Sequence, residues 1–307
     1  MSKMSGNPEA PLGSERIQTP STEETPFVAS SPPLSKMRLS RMLRESREAA
    51  RMTADQVNER ALEISGTKIS ASTITRIERD EWVRPKLEVV ELLLDVYGIN
   101  NLAEREEYVR LAKEARRKSW WRNYDDVIES TLIGLEPGAS RIRDVALTVI
   151  PGLLQTQAYT RAVIAGAGIV DAEEIERRVE ARMLRQQILG PTAEGPKYWC
   201  ILDESALRKI PSEIREQQVR HLIDIQRPDL RVQVLPDSAG LHAAVAGGFT
   251  ILDFAEDSGL VYTESAASQR VHEDIEDVEA FDLVYSYVSA SALGIQESVQ
   301  TLESFIS

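Results

Sequence analysis

Residues 35–122 carry short apolar stripes at helical spacing. Leu39, Met42, Leu43 and Ser46 share one face, while Arg38, Arg41, Arg44 and Arg47 fall largely elsewhere. Thr53, with Gln56 three residues on, has the form of a capping box and opens a second helix carrying Val57 and Ala61. A Ser-Gly-Thr break at Ser65–Thr67 follows. Ser70 then caps a third helix, ASTITRIER, whose Ile74 and Ile77 point inward. Pro85 stands near the start of a fourth helix with an apolar stripe of Leu87, Val90, Leu93 and Leu94, ended by Gly98. A fifth helix runs from acids (Glu104, Glu106, Glu107) to bases (Arg116, Arg117, Lys118), as the helix dipole favours.

After Trp120-Trp121 the texture changes. The pattern predicts helices around 123–133, 155–166, 172–190, 212–226 and 274–293, with a short one running to Ile306. It predicts strands at Tyr198–Leu202, Arg231–Leu235, Phe249–Phe254 and Leu260–Thr263. Residues 1–34 are rich in Pro, Ser and Thr and lack periodicity, which reads as a disordered tail. The expected domains are therefore a tail at 1–34, a helical domain at 35–118 and a larger α+β domain with a small mixed sheet at 119–307.

Charge divides the chain the same way. The whole chain of 307 residues has a net charge of −13, which by itself argues against a nucleic-acid partner. By segment, 1–34 carries −2, 35–122 carries +4 and 123–307 carries −15. The basic excess coincides with the helical module, the asymmetry expected of a nucleic-acid reader joined to something else. The lone Cys200 forms neither an internal disulfide nor a zinc finger, and fits a reducing, cytoplasmic setting. No stretch approaches the ~18 uninterrupted apolar residues of a spanning helix, so no membrane partner is expected.

The third helix suits a major groove. Small polar residues at its start, Ser70, Ala71, Ser72 and Thr73, allow close approach to base edges and phosphates, and Thr75 and Arg76 continue the outward face. The bland reading of any one of these residues is solvated surface. The segment Ile69–Ile99, with its STITRIE core followed by Pro85 and a Leu-rich helix, resembles the lambda-repressor/Cro-like helix-turn-helix family of XRE type. That resemblance implies a five-helix, all-α, lambda-repressor-like DNA-binding domain. It places base reading on Ser70, Ala71, Ser72, Thr75 and Arg76, and backbone contact on Thr53, Thr73, Arg79, Arg84 and Lys86. Two departures stand out. The family usually has Gln at the first position of the second helix, where this chain has Ala54. About half a dozen extra residues also lie between Asn58 and Ser70. Lys68, among them, is a candidate for the phosphate contact that Ala54 does not make.

The second half has its own ordered motifs: WWRNY (120–124), IPGLLQTQAYTRA (150–162), ILDESALRK (201–209), VQVLPDSAGLHA (232–243), GGFTILDF (247–254) and VYTE (261–264). They resemble the uncharacterised domain that follows an XRE-type helix-turn-helix in bacterial developmental, antitoxin-like regulators. The resemblance implies a two-part transcriptional regulator, not an enzyme, that binds double-stranded DNA and has a small companion protein or a ligand as a second partner. The modest +4 of the helical module points to binding as a homodimer. No cofactor or metal is implied. Two alternatives stay open: a DNA-tethered metal-dependent hydrolase using Asp253 and Glu264 on neighbouring strands, and a protein-interaction scaffold without DNA binding. No HExxH, GxSxG or P-loop pattern occurs. His221, His242 and His272 lack metal-ligand spacing, Cys200 sits in an apolar strand, and Asp203-Glu204 reads as a helix cap. Pro151-Gly152 reads as a fixed turn, with Gln155, Thr156 and Tyr159 as an alternative partner or ligand surface. The acidic run His272–Asp282 is a solvated face or, more sharply, a competitor with DNA for the basic module.

Overall fold

The structure is a computed structural model. It describes residues 31–307 apart from 85, 128–129, 191–194, 256 and 266. Most of the expected tail (1–30) and Pro85 thus lie outside the described residues.

The first body is helical: α1 (Pro32–Ala49), α2 (Ala54–Ser65), α3 (Ala71–Glu78), α4 (Leu87–Tyr97) and α5 (Leu102–Glu114). Leu39, Leu43, Val57, Ala61, Ile74, Val90, Leu93 and Leu94 are fully buried in one cluster, so the inward stripes meet as the spacing predicts. Helix α1 starts at Pro32, inside the segment expected as tail, with Ser31 as its cap.

The second body is an α+β region built on a six-stranded mixed sheet. After a 3-10 turn at Trp120–Tyr124 come α6 (Ser130–Leu135), β1 (Arg141–Ala146), α7 (Gln157–Gly166), α8 (Ala172–Arg185), β2 (Lys197–Asp203), α9 (Glu204–Arg208), α10 (Ser212–Asp224), β3 (Leu230–Leu235), β4 (Phe249–Asp253), β5 (Leu260–Glu264), β6 (Gln269–His272), α11 (Ile275–Ser291) and α12 (Ile295–Ser304). The strand order is β3-β2-β1-β4-β5-β6. Strand β1 is parallel to β2, as β2 is to β3, while β1–β4, β4–β5 and β5–β6 are antiparallel. Both faces are covered. Ile142, Tyr198, Cys200, Val232 and Leu252 pack on one side, and Val145, Ile201, Phe249, Ile251 and Val261 pack with α11 residues on the other.

Two strands escaped the sequence pattern. Strand β1 reads RIRDVA, and its Arg143 and Asp144 are buried in mid-sheet at 8% and 7% exposure. Charged residues at buried positions erase the apolar signal that marks a strand. Their partners come from distant strands. Arg143 Nη2 and Nε donate to Asp253 Oδ1 and Oδ2 at 2.7 and 3.0 Å, and Arg141 Nε donates to Asp253 Oδ2 at 2.8 Å. Asp144 accepts from the hydroxyls of Tyr198 and Thr250. Strand β6 was missed because its four residues, QRVH, are too few to alternate visibly. The helix expected over 172–190 ends at Arg185 and continues as a 3-10 turn. That expected over 123–133 is replaced by the 3-10 turn and α6.

Burial pushes the Asp144 carboxyl up to about 6, against the pull of its Thr250 and Tyr198 hydrogen bonds. The folded state thus holds this proton where the unfolded chain, with an aspartate near pH ~4, has lost it. Its contribution to stability falls as pH rises from about 4 to about 6. Asp144→Asn should flatten that part of the curve of unfolding free energy against pH, and an unchanged slope would refute the assignment.

Helix α1 joins the bodies. Leu34 and Met37 in its first half pack against the core of the sheet domain, while Leu39 and Leu43 belong to the helical core. Ser31 Oγ donates to Gly134 O, and a Cβ on Gly134 would sit 2.7 Å from Pro33. A Cβ on Gly138 would sit 2.6 Å from Leu34, so these glycines admit α1 at backbone distance. Trp121 is buried beside Gly134.

Candidate DNA interface

Helix α3 owes its seat to both of its faces. Ile74 and Ile77 anchor the inner one at 0% and 3% exposure. At its start Ser70 accepts from Thr73 N at 3.2 Å, and its hydroxyl also meets those of Ser72 and Thr73 at 2.9 and 2.8 Å. Ser72, Thr75, Arg76 and Arg79 follow i, i+3, i+4, i+7 spacing and so share the stripe opposite Ile74 and Ile77. Ser72, Thr73, Arg76 and Arg79 are exposed, while Ser70, Ala71 and Thr75 are half-buried. Thr75 Oγ1 donates back to Ala71 O at 3.0 Å, so its methyl, more than its hydroxyl, faces outward chemistry.

Thr53 opens α2 with the anticipated capping box: it accepts from Gln56 N at 3.3 Å, and Gln56 Oε1 accepts from Thr53 N at 2.8 Å. The extra residues between Asn58 and Ser70 do not form a long loop. They extend α2 to Ser65, and the chain reverses at Gly66 with φ 70°. Four residues then lead to Ala71, with Lys68 exposed among them.

Among the described residues, Lys68, Arg76, Arg79, Arg84 and Lys86 form no salt bridge, and all are exposed. Part of the module's remaining positive charge is neutralised within the protein. Arg38 and Arg41 of α1 meet Asp257, and Arg105 and Arg110 pair with acids of the helical body. The cations around α3 are thus free to meet phosphates. Arg76 Nη2 reaches only the Glu81 carbonyl, at 3.2 Å.

One supporting residue was hidden in the sequence. Arg47, placed by its spacing off the apolar face, is a clamp. Its Nε and Nη2 donate to Glu78 Oε1 and Oε2 at 2.7 and 2.9 Å, and its Nη1 donates to Met52 O at 2.9 Å. This fork ties the end of α1 to the end of α3. The Glu that closes the ITRIE run was the available signal.

A family model described as a helix-turn-helix domain matches residues 38–108, which cover α1 from Arg38 through most of α5. A second, described as a domain of unknown function (DUF5753), matches residues 130–304, more than half of the chain. The chain belongs to the DUF5753 family. No curated protein and no solved structure matches it.

The DUF5753 region sets aside the hydrolase pairing. Asp253 and Glu264 sit on adjacent strands but on opposite faces and at opposite ends of the β4–β5 ladder, so they do not converge. Asp253 is taken by Arg141 and Arg143. Cys200 is buried at 1% exposure, and burial pushes its thiol well up, as suits a core residue. His272 contacts Asp277 at 3.1 Å and Thr263 at 3.1 Å, and His242 lies 3.6 Å from Asp203. Asp203 caps α9 as expected, accepting from Ser205 N at 2.8 Å. Within the IPGLLQTQAYTRA motif, Thr156 and Tyr159 are engaged internally, while Gln155 lines a cavity. Glu273–Asp277 of the acidic run lie across a cleft from Arg41 and Glu45 of α1, and the outward residues of α3 stay exposed. No helix of the described residues is long and apolar enough to cross a membrane.

Proposed function

We propose that this protein is a sequence-specific DNA-binding transcriptional regulator of XRE type. It acts as a dimer, reads the major groove with α3, and carries its DUF5753 region as the part that senses a ligand or a companion protein in the antitoxin-like manner. The observation that carries this reading is the exposed stripe of α3 within a helix-turn-helix match: its Arg76 and Arg79, and Lys68, Arg84 and Lys86 before and after it in the chain, form no salt bridge among the described residues. Ser70, Ala71, Ser72, Thr75 and Arg76 are assigned to base edges, with Arg76 suited to a guanine. Thr53, Lys68, Thr73, Arg79, Arg84 and Lys86 are assigned to the backbone. A module of +4 net charge is weakly basic, so two copies on paired half-sites about one helical turn apart would supply the affinity.

Genome-wide recovery of bound fragments should yield a two-fold-related motif. Arg76→Ala should cost about 1–3 kcal/mol and relax preference at one base position, whereas Lys68→Gln should weaken all sites alike and lower the salt slope by about 1. Sites that persist unchanged with Arg76→Ala would refute the assignment of α3.

A further inference from the structure

Helix α8 presents four arginines, and three of them have acid partners. Arg177 pairs with Asp126, Arg178 with Glu174 and Arg185 with Glu136. Arg182 is the exception. Among the described residues no carboxylate forms a salt bridge with it, and its side-chain hydrogen bond is from Nη1 to Gln155 Oε1 at 3.0 Å. Gln155 is itself fixed, at 2% exposure, by donating from Nε2 to Ile150 O at 2.6 Å and accepting from Thr160 Oγ1 at 3.1 Å.

The surroundings make this cation costly. Burial, with repulsion from Arg185, lowers the Arg182 pKa to about 10, and the pull of Glu264 only partly offsets it. A guanidinium held in such a place without a counter-ion is a charge waiting for one.

The space beside it is real. Arg182 lines a cavity of about 460 Å³ at the carboxyl end of β1, between the sheet and α8. That size suits a metabolite. Polar groups of the opposite character complete the walls: Asp144 and Thr250 on the sheet floor and Glu264 at the exposed end of β5. Two glycines on the rim let neighbouring parts of the chain close over it. A Cβ on Gly152 would meet Arg185 Nη1 at 3.0 Å, and one on Gly248 would lie 2.5 Å from Val145 O.

We infer that this cavity is a binding site for a small polar molecule bearing one carboxylate or phosphate group. Arg182 receives the anionic group, with the amide of Gln155 holding the guanidinium in place. Asp144, Thr250 and Glu264 meet hydroxyl or amino groups on the rest of the molecule. The inference deepens the reading of the DUF5753 region as the sensing part. Its test measures binding without DNA, so it stands or fails apart from the DNA result.

The full chain is titrated in thermal-shift and calorimetric assays with acetate, inorganic phosphate, gluconate and 6-phosphogluconate, against chloride at matched ionic strength. Saturable stabilisation by at least one probe is expected, stronger for the hydroxylated anions, and the winning class distinguishes carboxylate from phosphate. Arg182→Gln should weaken that binding by about tenfold or more, since a hydrogen bond to a charged group is lost. Arg182→Lys should restore part of it, and Arg161→Gln on the surface should change nothing. Without any probe, Arg182→Gln should melt no lower than the parent, because it removes a half-buried charge with no acid partner among the described residues. Absence of saturable binding by every probe, or an Arg182→Gln variant that responds like the parent, would overturn the inference.

Discussion

Arg185→Met should lower the unfolding free energy of the sheet domain by about 3–5 kcal/mol, the largest effect expected of any single polar substitution in this protein. Glu136 is 1% exposed and receives both arms of the Arg185 fork, Nε at 2.8 Å and Nη2 at 2.6 Å. Removing the arginine strands a carboxylate that water does not reach. The cost comes from that stranded charge rather than from the net worth of the pair, which the double variant separates. Glu136→Gln with Arg185→Met removes both charges and should recover most of the loss. Chemical denaturation of the parent, both single variants and the double variant measures the coupling. A single variant within about 0.5 kcal/mol of the parent would show that the pair is not buried in solution. The contrast with Arg182, three positions earlier on the same helix, is informative. Arg185 should be needed for stability because it neutralises a buried acid, whereas Arg182 should be dispensable because no acid among the described residues depends on it.

The second large effect is expected at Arg47→Met. Glu78 is held by a two-pronged contact and its side chain is only 9% exposed, while Arg47 retains 19%. Loss of a charge-assisted fork at a partly shielded site should cost about 2–3 kcal/mol of stability in the helical module. Because Glu78 lies at the end of α3, DNA binding should suffer as well, with loss at every site rather than at one base position. Arg47→Met together with Glu78→Leu should recover stability, and affinity should return with it if the clamp acts only by seating the helix. An Arg47→Met variant that melts and binds like the parent would show that α3 is held by Ile74 and Ile77 alone.

How much was legible beforehand differs between the two bodies. In the helical body, every element is local. The caps at Thr53 and Ser70, the stops at Gly66 and Gly98, and the stripes of Leu39–Leu43 and Val90–Leu94 each reside within one or two turns of chain. The helices could therefore be read one by one, and their exposed stripe could be named before the core was seen. In the sheet domain the four strands that are apolar in sequence were found close to their observed bounds. The central one was not, because Arg143 and Asp144 look like surface residues until Asp253 and Tyr198 arrive from more than fifty residues away.

The same distinction applies to the chemistry. The sequence by itself determined the division into a basic helical part and an acidic α+β part, and the caps and faces of α3 from which the proposed DNA contacts are drawn. Periodicity, capping and net charge are properties of neighbouring residues, and they survive without knowledge of the fold. Only the tertiary structure decided that Arg47 clamps α3, that Asp253 and Glu264 lie on opposite faces, that α1 belongs to both cores, and that Arg182 is left without an acid while its neighbours are paired. Each of these depends on which charges meet after burial. Pairing of that kind is set by the packing of distant segments, and no local pattern records it.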